Sequence, residues 1–268
     1  MLATLLTDFG TRDYFVGAMK GALLSVSPRA QLVDLTHEIP PHDIWAGAFT
    51  LLAAYAAFPP ETVHIAVVDP GVGSARRPLL VVTRDYFFVG PDNGLFSYVC
   101  DRERDVQAFH LTNDKYFRPA VSHTFHGRDI FAPVAGALLN GVPPAELGAR
   151  ITDYVRLAPL APARADDGTL TAAVIHIDRF GNCVTNITRA ELPEEAIARG
   201  VQLQVGAHRV RTFRRFFTEG AFVPREIFAI WGSAGFLEIA VAKDSAAHLL
   251  GIRRGQEVRV SFTSDVRV

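Results

Sequence analysis

The segment Val67-Val68-Asp69-Pro70-Gly71-Val72-Gly73-Ser74-Ala75-Arg76-Arg77 places a carboxylate and a guanidinium on either side of a glycine-rich stretch. A tight turn there can bring Asp69 and Arg76 together; the plainer alternative is a loop with solvated arginines. The Walker spacing with its lysine is absent, as is a dinucleotide GxGxxG, so a phosphate cradle is not indicated. Farther on, Ser122-His123-Thr124-Phe125-His126-Gly127-Arg128-Asp129-Ile130-Phe131 carries two histidines into a predicted helix start. His126, beside a glycine at that start, is the candidate for proton chemistry, and His123 reads as structural.

Asp8 follows an apolar run in Leu5-Leu6-Thr7-Asp8-Phe9-Gly10. It suits a helix N-cap or turn, or a carboxylate accepting both hydroxyls of a ribose diol. Asp8, His37, Asp69, His123, His126 and Asp129 could together supply metal donors. No HExxH or similar spaced pair accompanies them, and Arg76 would compete with a cation for Asp69, so no metal is expected. In Ile177-Asp178-Arg179-Phe180-Gly181-Asn182-Cys183, Asn182 can read the donor and acceptor of a purine edge and Asp178 can meet a cation; a hairpin turn competes with both. Glu238, alone among apolar residues, suits either an exposed strand face or a pairing with a ligand ammonium.

These residues need a scaffold. Apolar runs at 2–6, 31–35 and 63–68 predict strands, and Phe15, Met19, Leu23 and Val26 at helical spacing predict a helix that Pro28 ends. A helix is expected over 44–58, strands over 79–83 and 86–89 around a possible turn at Arg84-Asp85, and a further helix from Asp129 through Leu139. Runs this apolar suit strands buried on both faces, so residues 1–158 read as an α/β domain with a largely parallel sheet. Asp8 and Asp69 would then lie past the carboxyl ends of strands, where such sheets bind ligands. Residues 159–168 have linker chemistry, and the short runs at 170–177, 201–205, 227–231, 236–241 and 257–262 predict a smaller, mostly-β, barrel-like domain over 169–268.

The 268 residues include 27 basic and 28 acidic side chains, net charge −1, without a long block of either sign. Nucleic acid and anionic membrane are therefore not the expected partners. Cys100 and Cys183 lack CxxC spacing and read as buried thiols in a reducing compartment. No apolar run reaches the ~18 residues of a membrane span, and no basic leader is recognisable. A cytoplasmic protein acting on a small molecule is expected.

Taken in order, Leu5-Leu6-Thr7-Asp8-Phe9-Gly10, Val68-Asp69-Pro70-Gly71-Val72-Gly73 with Arg76-Arg77, Thr124-Phe125-His126-Gly127-Arg128-Asp129-Ile130-Phe131-Ala132-Pro133, Phe180-Gly181-Asn182 and Gly232-Ser233-Ala234-Gly235 resemble the S-adenosyl-L-methionine (SAM) hydroxide adenosyltransferases, or SAM hydrolases. The resemblance implies an α/β domain followed by a β-barrel-like domain, a homotrimer binding SAM between subunits, and no metal or organic cofactor. It also implies that Asp69, Arg76 and His126 activate water, that Asp8 binds ribose and Asn182 reads adenine, that Asp178, Ser233 and Glu238 hold the methionine part, and that the Val241 backbone contacts adenine. Halogenases sharing this fold carry a tyrosine at the position of Asp69. A carboxylate there repels halide and hydrogen-bonds water, which favours hydrolysis to adenosine and L-methionine. A non-catalytic adenosine- or SAM-binding module and a metal-dependent hydrolase are the rivals; a methyltransferase lacks its glycine-rich cofactor turn here. Which of Asp69 and His126 takes the proton stays open at this point.

Overall fold

The structure is a computed structural model that describes residues 1–262 except Asp167 and Phe222; the predicted C-terminal domain beyond residue 262 lies outside the described residues. The chain forms two compact units, Met1–Ala158 and Pro159–Val268.

In the first unit the order is β1 (Leu2–Thr7), α1 (Phe15–Val26), β2 (Gln31–Thr36), α2 (Ile44–Ala54), β3 (Thr62–Val67), β4 (Pro78–Val82), β5 (Tyr86–Pro91), α3 (Ser97–Arg102), β6 (Gln107–Leu111), a π-helical turn (Gly127–Phe131), α4 (Ala132–Leu139) and β7 (Gly148–Ile151). The sheet order is β2-β1-β3-β5-β4-β6-β7. β3 is buried at every position, as befits a strand paired on both edges and covered on both faces, whereas the edge strand β2 is largely exposed. Met19 and Leu23 of α1 and Val134 and Leu138 of α4 pack on Ala3, Leu5, Val63 and Ile65. Asp43 caps α2 by accepting from the Ala46 N–H at 3.0 Å.

The sheet is mixed, which corrects the expectation of a largely parallel one. Pairs β1/β2, β1/β3 and β3/β5 are parallel; β4/β5, β4/β6 and β6/β7 are antiparallel. The cause is local. Thr83 and Tyr86 close a tight turn, with Thr83 N donating to Tyr86 O at 2.9 Å, and a turn that short leaves no room for the crossover a parallel pair requires.

The second unit holds β8 (Ala163–Arg164), β9 (Leu170–Ile177), β10 (Cys183–Thr188), β11 (Val201–Val205), β12 (His208–Val210), β13 (Phe213–Arg214), β14 (Ile227–Trp231), β15 (Phe236–Val241) and β16 (Glu257–Phe262). Most pairings are antiparallel; β13 and β14 run parallel. β9 pairs with β16 through residues 170–173 and with β10 over its second half, so one strand joins two sections of sheet. Residues 159–168 are not only linker, because β8 within them pairs with β9. Leu170, Ala172, Leu203, Leu237, Ile239, Val258 and Val260 supply the core, the alternation expected of a sheet with one buried face.

Gly90 on β5 lies so close to β3 that an added Cβ would stand 2.1 Å from the Ala66 carbonyl oxygen. Gly90→Ala must spread these strands, and its expected cost is about 1–3 kcal/mol, read as a lower urea midpoint. An unchanged midpoint would contradict the close approach.

Candidate active site

Thr7 pairs with Val67 in the parallel β1/β3 register, so Asp8 and Asp69 emerge past the carboxyl ends of adjacent strands. After Asp69 the chain doubles back: Val72 N donates to Asp69 O at 3.3 Å and Ser74 N to Gly71 O at 3.2 Å, while Ser74 Oγ accepts from Arg76 N at 3.2 Å. This turn returns Arg76 to Asp69. Arg76 Nε donates to Asp69 Oδ1 at 3.1 Å and Nη2 donates to Asp69 Oδ2, with the two side chains only 7% and 5% exposed. Nη2 also lies 3.0 Å from His126 Nδ1, and the Arg76 guanidinium carbon sits 5.5 Å from the centroid of the Phe131 ring. Its remaining terminal nitrogen, Nη1, is buried without a hydrogen-bond partner among the described residues.

A guanidinium can only donate, so His126 Nδ1 must accept, and the ring is the neutral tautomer with its proton on Nε2. Burial and the Arg76 charge agree with this, lowering the His126 pKa below its ordinary value against the pull of Asp69. For Asp69, burial raises the pKa above the ordinary carboxylate value although Arg76 and His126 oppose it. The cluster therefore contains a carboxylate of raised proton affinity, a fixed cation and a neutral imidazole.

Neighbouring loops hold it in place. Gly73, at φ 77°, presses on the histidine loop so closely that a Cβ would stand 2.2 Å from His123 O. Asn93 Nδ2 donates to Val68 O at 2.8 Å, and Arg77 binds Asp92 and Asp153. His126 caps a π-helical turn that leads into α4; Pro133, in the first turn of α4, has no N–H to give Asp129, and the Asp129 carbonyl accepts from Arg118 N at 2.9 Å instead. The buried Asp129 carboxylate accepts from Arg128 Nε at 2.6 Å and Ser122 N at 2.9 Å. Burial pushes its pKa up, but these partners outweigh burial and hold it low. Phe9 meets Phe125 edge-on at 6.0 Å, packing the Asp8 loop against the His126 loop. Asp8 Oδ2 accepts from His42 N at 2.8 Å. Among the described residues no three His, Cys, Asp or Glu side chains are grouped to hold a metal.

In the second unit, Asp178 Oδ1 accepts from Phe180 N at 2.9 Å and Asn182 N at 2.8 Å, and its Oδ2 from Asn182 Nδ2 at 2.9 Å. Its carboxylate thus organises the turn that carries Asn182. Asn182 and Val241 line a cavity of about 510 Å³ with Phe180, Phe217, Lys243, Asp244 and Ser245. Gly181 is required there, since a Cβ would stand 2.0 Å from Ser245 Oγ. Glu238 is half-buried, and burial with the Asp178 charge pushes its pKa up to about 6. Ser233 is exposed in the β14–β15 turn. The rings of Phe180 and Phe217, 78% and 52% exposed, are cavity walls to which sequence reasoning gave no role. Their signals were the aromatic before Gly181-Asn182 and the paired Phe216-Phe217 in a loop.

An α/β unit with a buried carboxylate and guanidinium beside a half-buried imidazole at its strand ends, followed by a β unit with a cavity large enough for a small molecule, defines a class of small-molecule enzymes. Residues 3–148 match the SAM hydroxide adenosyltransferase N-terminal domain and residues 172–259 the C-terminal domain. The chain belongs to the SAM hydroxide adenosyltransferase family. It is 36% identical to the (R)-S-adenosyl-L-methionine hydrolase of Methanocaldococcus jannaschii, over 97% of this chain and 96% of that one. It is 39% identical to the enzyme of the same name from Salinispora tropica, over 95% of each, but only 26% identical to a fluorinase of an Actinoplanes species over 97% of each. The crystal structure of an uncharacterised conserved protein from Thermotoga maritima superimposes with TM-score 0.89 at 33% identity, covering 97% of this chain and 99% of that one.

Asp69→Ala leaves the Arg76 charge buried and unpaired, so it should destabilise the fold by about 3–5 kcal/mol, measured by denaturant unfolding. A loss below about 1 kcal/mol would show that the pair is solvated.

Proposed function

We propose that this protein hydrolyses SAM to adenosine and L-methionine by in-line attack of water on ribose C5′. The observation that carries this reading is Arg76 Nη1, a buried donor beside Asp69 without a partner among the described residues, while the neighbouring Nη2 is already committed to Asp69 and His126. A water or nascent hydroxide oxygen is the group such a donor suits.

In this mechanism Asp69 accepts the proton. His126 Nδ1 is engaged by Arg76 and Nε2 bears hydrogen, so the imidazole donates and orients, while burial has raised the proton affinity of Asp69. The water oxygen bonds to C5′, the C5′–S bond breaks, and its electron pair neutralises the sulfonium, so methionine leaves as a thioether. The atoms balance with water alone, without a metal or organic cofactor. The negative charge of Asp69 disfavours a halide nucleophile, in keeping with the greater identity to hydrolases than to a fluorinase. The substrate epimer we assign is the (R)-sulfonium in the names of the relatives.

Asp8 is assigned to the ribose diol, Asn182 and the Val241 backbone to adenine, and Ser233 and Glu238 to the methionine part. Asp178 is assigned to the methionine part as well, while its carboxylate also organises the turn that carries Asn182. A curled, barrel-like second domain, a homotrimer with substrate held between subunits, and a cytoplasmic location complete the proposal. No helix among the described residues is long and apolar enough to cross a membrane.

Asp69→Asn and His126→Ala should each lower kcat by at least about 100-fold with little change in KM, because water positioning matters mainly in the transition state. Unchanged kcat in both variants would refute the assignment. Acid should also abolish turnover, since protonating Asp69 removes the acceptor and protonating His126 Nδ1 breaks its contact with Arg76. Because burial raises the Asp69 pKa, the acid limb of the kcat–pH profile should have its midpoint above the ordinary carboxylate value. Full activity at pH about 3 would contradict this.

A further inference from the structure

A chain of polar side chains that the mechanism does not use runs beneath Asp8. Lys20 Nζ donates to Asp34 Oδ2 at 2.6 Å, and His37 Nε2 stands 3.1 Å from Asp34 Oδ1, out of line for a well-formed hydrogen bond. His37 Nδ1 lies 2.8 Å from Thr7 Oγ1, which in turn accepts from Phe9 N at 3.2 Å. The order Asp, His, Thr has the form of a nucleophile triad. Thr7 is fully buried and its hydroxyl is held between Phe9 N and His37, so no substrate can reach it.

What the chain does reach is the Asp8 turn. Gly10 N donates to His37 O at 2.7 Å, Ile39 N to Thr7 O at 3.4 Å, and His42 N to Asp8 Oδ2 at 2.8 Å. His42 adopts φ 66°, a conformation unfavourable for a side chain that must be held by its surroundings. The loop from His37 to His42 therefore aims the Asp8 carboxylate, and His37, only 4% exposed, ties that loop to β1 through Thr7.

We propose that His37 is a positioning residue that fixes the Asp8 carboxylate for a vicinal diol, so that it governs nucleoside affinity and not water activation. This rests on the assignment of Asp8 to ribose made above. Asp8→Asn, His37→Phe, His37→Asn and the double variant Asp8→Asn/His37→Phe are compared by adenosine calorimetry and by steady-state hydrolysis of SAM. His37→Phe should weaken adenosine binding and raise KM about tenfold while kcat stays within about threefold. His37→Asn should restore affinity to within about threefold of wild type, because its amide can take the place of Nδ1 beside Thr7 Oγ1 as donor or as acceptor. In the Asp8→Asn background His37→Phe should cost nothing further. Should His37→Phe fail to fold, the isosteric Thr7→Val removes this hydrogen bond together with the one from Phe9 N and should weaken adenosine binding at least about tenfold, again with kcat within about threefold.

Unchanged affinity, additive losses in the double variant, or kcat falling as far as KM rises would each overturn the proposal. Adenosine binding with these couplings but without turnover would uphold it while refuting hydrolysis. No adenosine binding by the wild type would overturn it together with the ribose assignment.

Discussion

Removing a carboxylate and a guanidinium from water costs several kcal/mol per ion, and only close geometry with further hydrogen bonds offsets that cost. The Asp69–Arg76 pair meets the condition through a two-point contact between side chains 5% and 7% exposed. Because Arg76 can only donate, the same contact dictates the tautomer of His126 and leaves one buried donor over. Charge distribution at the site thus follows from one ion pair, and much of the surrounding structure serves to keep it closed.

Closure depends on backbone approaches that larger residues would forbid. Gly73 lets the Asp69 loop touch the His123 carbonyl, and Gly90 lets β5 lie tight against β3. Adjacent parallel strands bring Asp8 and Asp69 to the same sheet end, and Phe9 against Phe125 joins the Asp8 loop to the His126 loop. The Pro133 gap in the helix ladder frees the Asp129 carbonyl for Arg118, which stitches the segment before His126 to the helix after it. In the second unit Asp178 plays a comparable part, spending its carboxylate on the turn that presents Asn182.

Asp8 and Asp69 were legible as strand-end residues because β1 and β3 are buried along their length and read as apolar runs that stop at polar turns. Strand direction was not. The Leu-Leu-Val-Val core of β4 has the same composition whichever way it runs, and only the short Arg84-Asp85 turn hinted that it pairs antiparallel with β5. The π-helical turn is not legible in the sequence, since the spacing from Asp129 onward is that of an ordinary helix start and the donor to Asp129 O, Arg118 N, lies outside the segment. Asp178 was legible as an important carboxylate but not as one already occupied by its own turn. Phe180 stands in a segment that carries the family resemblance, yet neither it nor Phe217 is legible as a cavity wall, because whether an aromatic ring lines a cavity or fills a core is decided by tertiary packing. The meeting of Asp69, Arg76 and His126 needed the family resemblance as well as the turn, since local spacing cannot bring His126 across from another loop.

The most direct test is to incubate the purified protein with SAM in water enriched in heavy oxygen, with chloride present, and to weigh the products by mass spectrometry. Activation of water by Asp69, Arg76 and His126 predicts adenosine carrying one heavy oxygen at its 5′ position, with unlabelled methionine. Unlabelled adenosine, a chlorinated nucleoside or unconsumed SAM would contradict it.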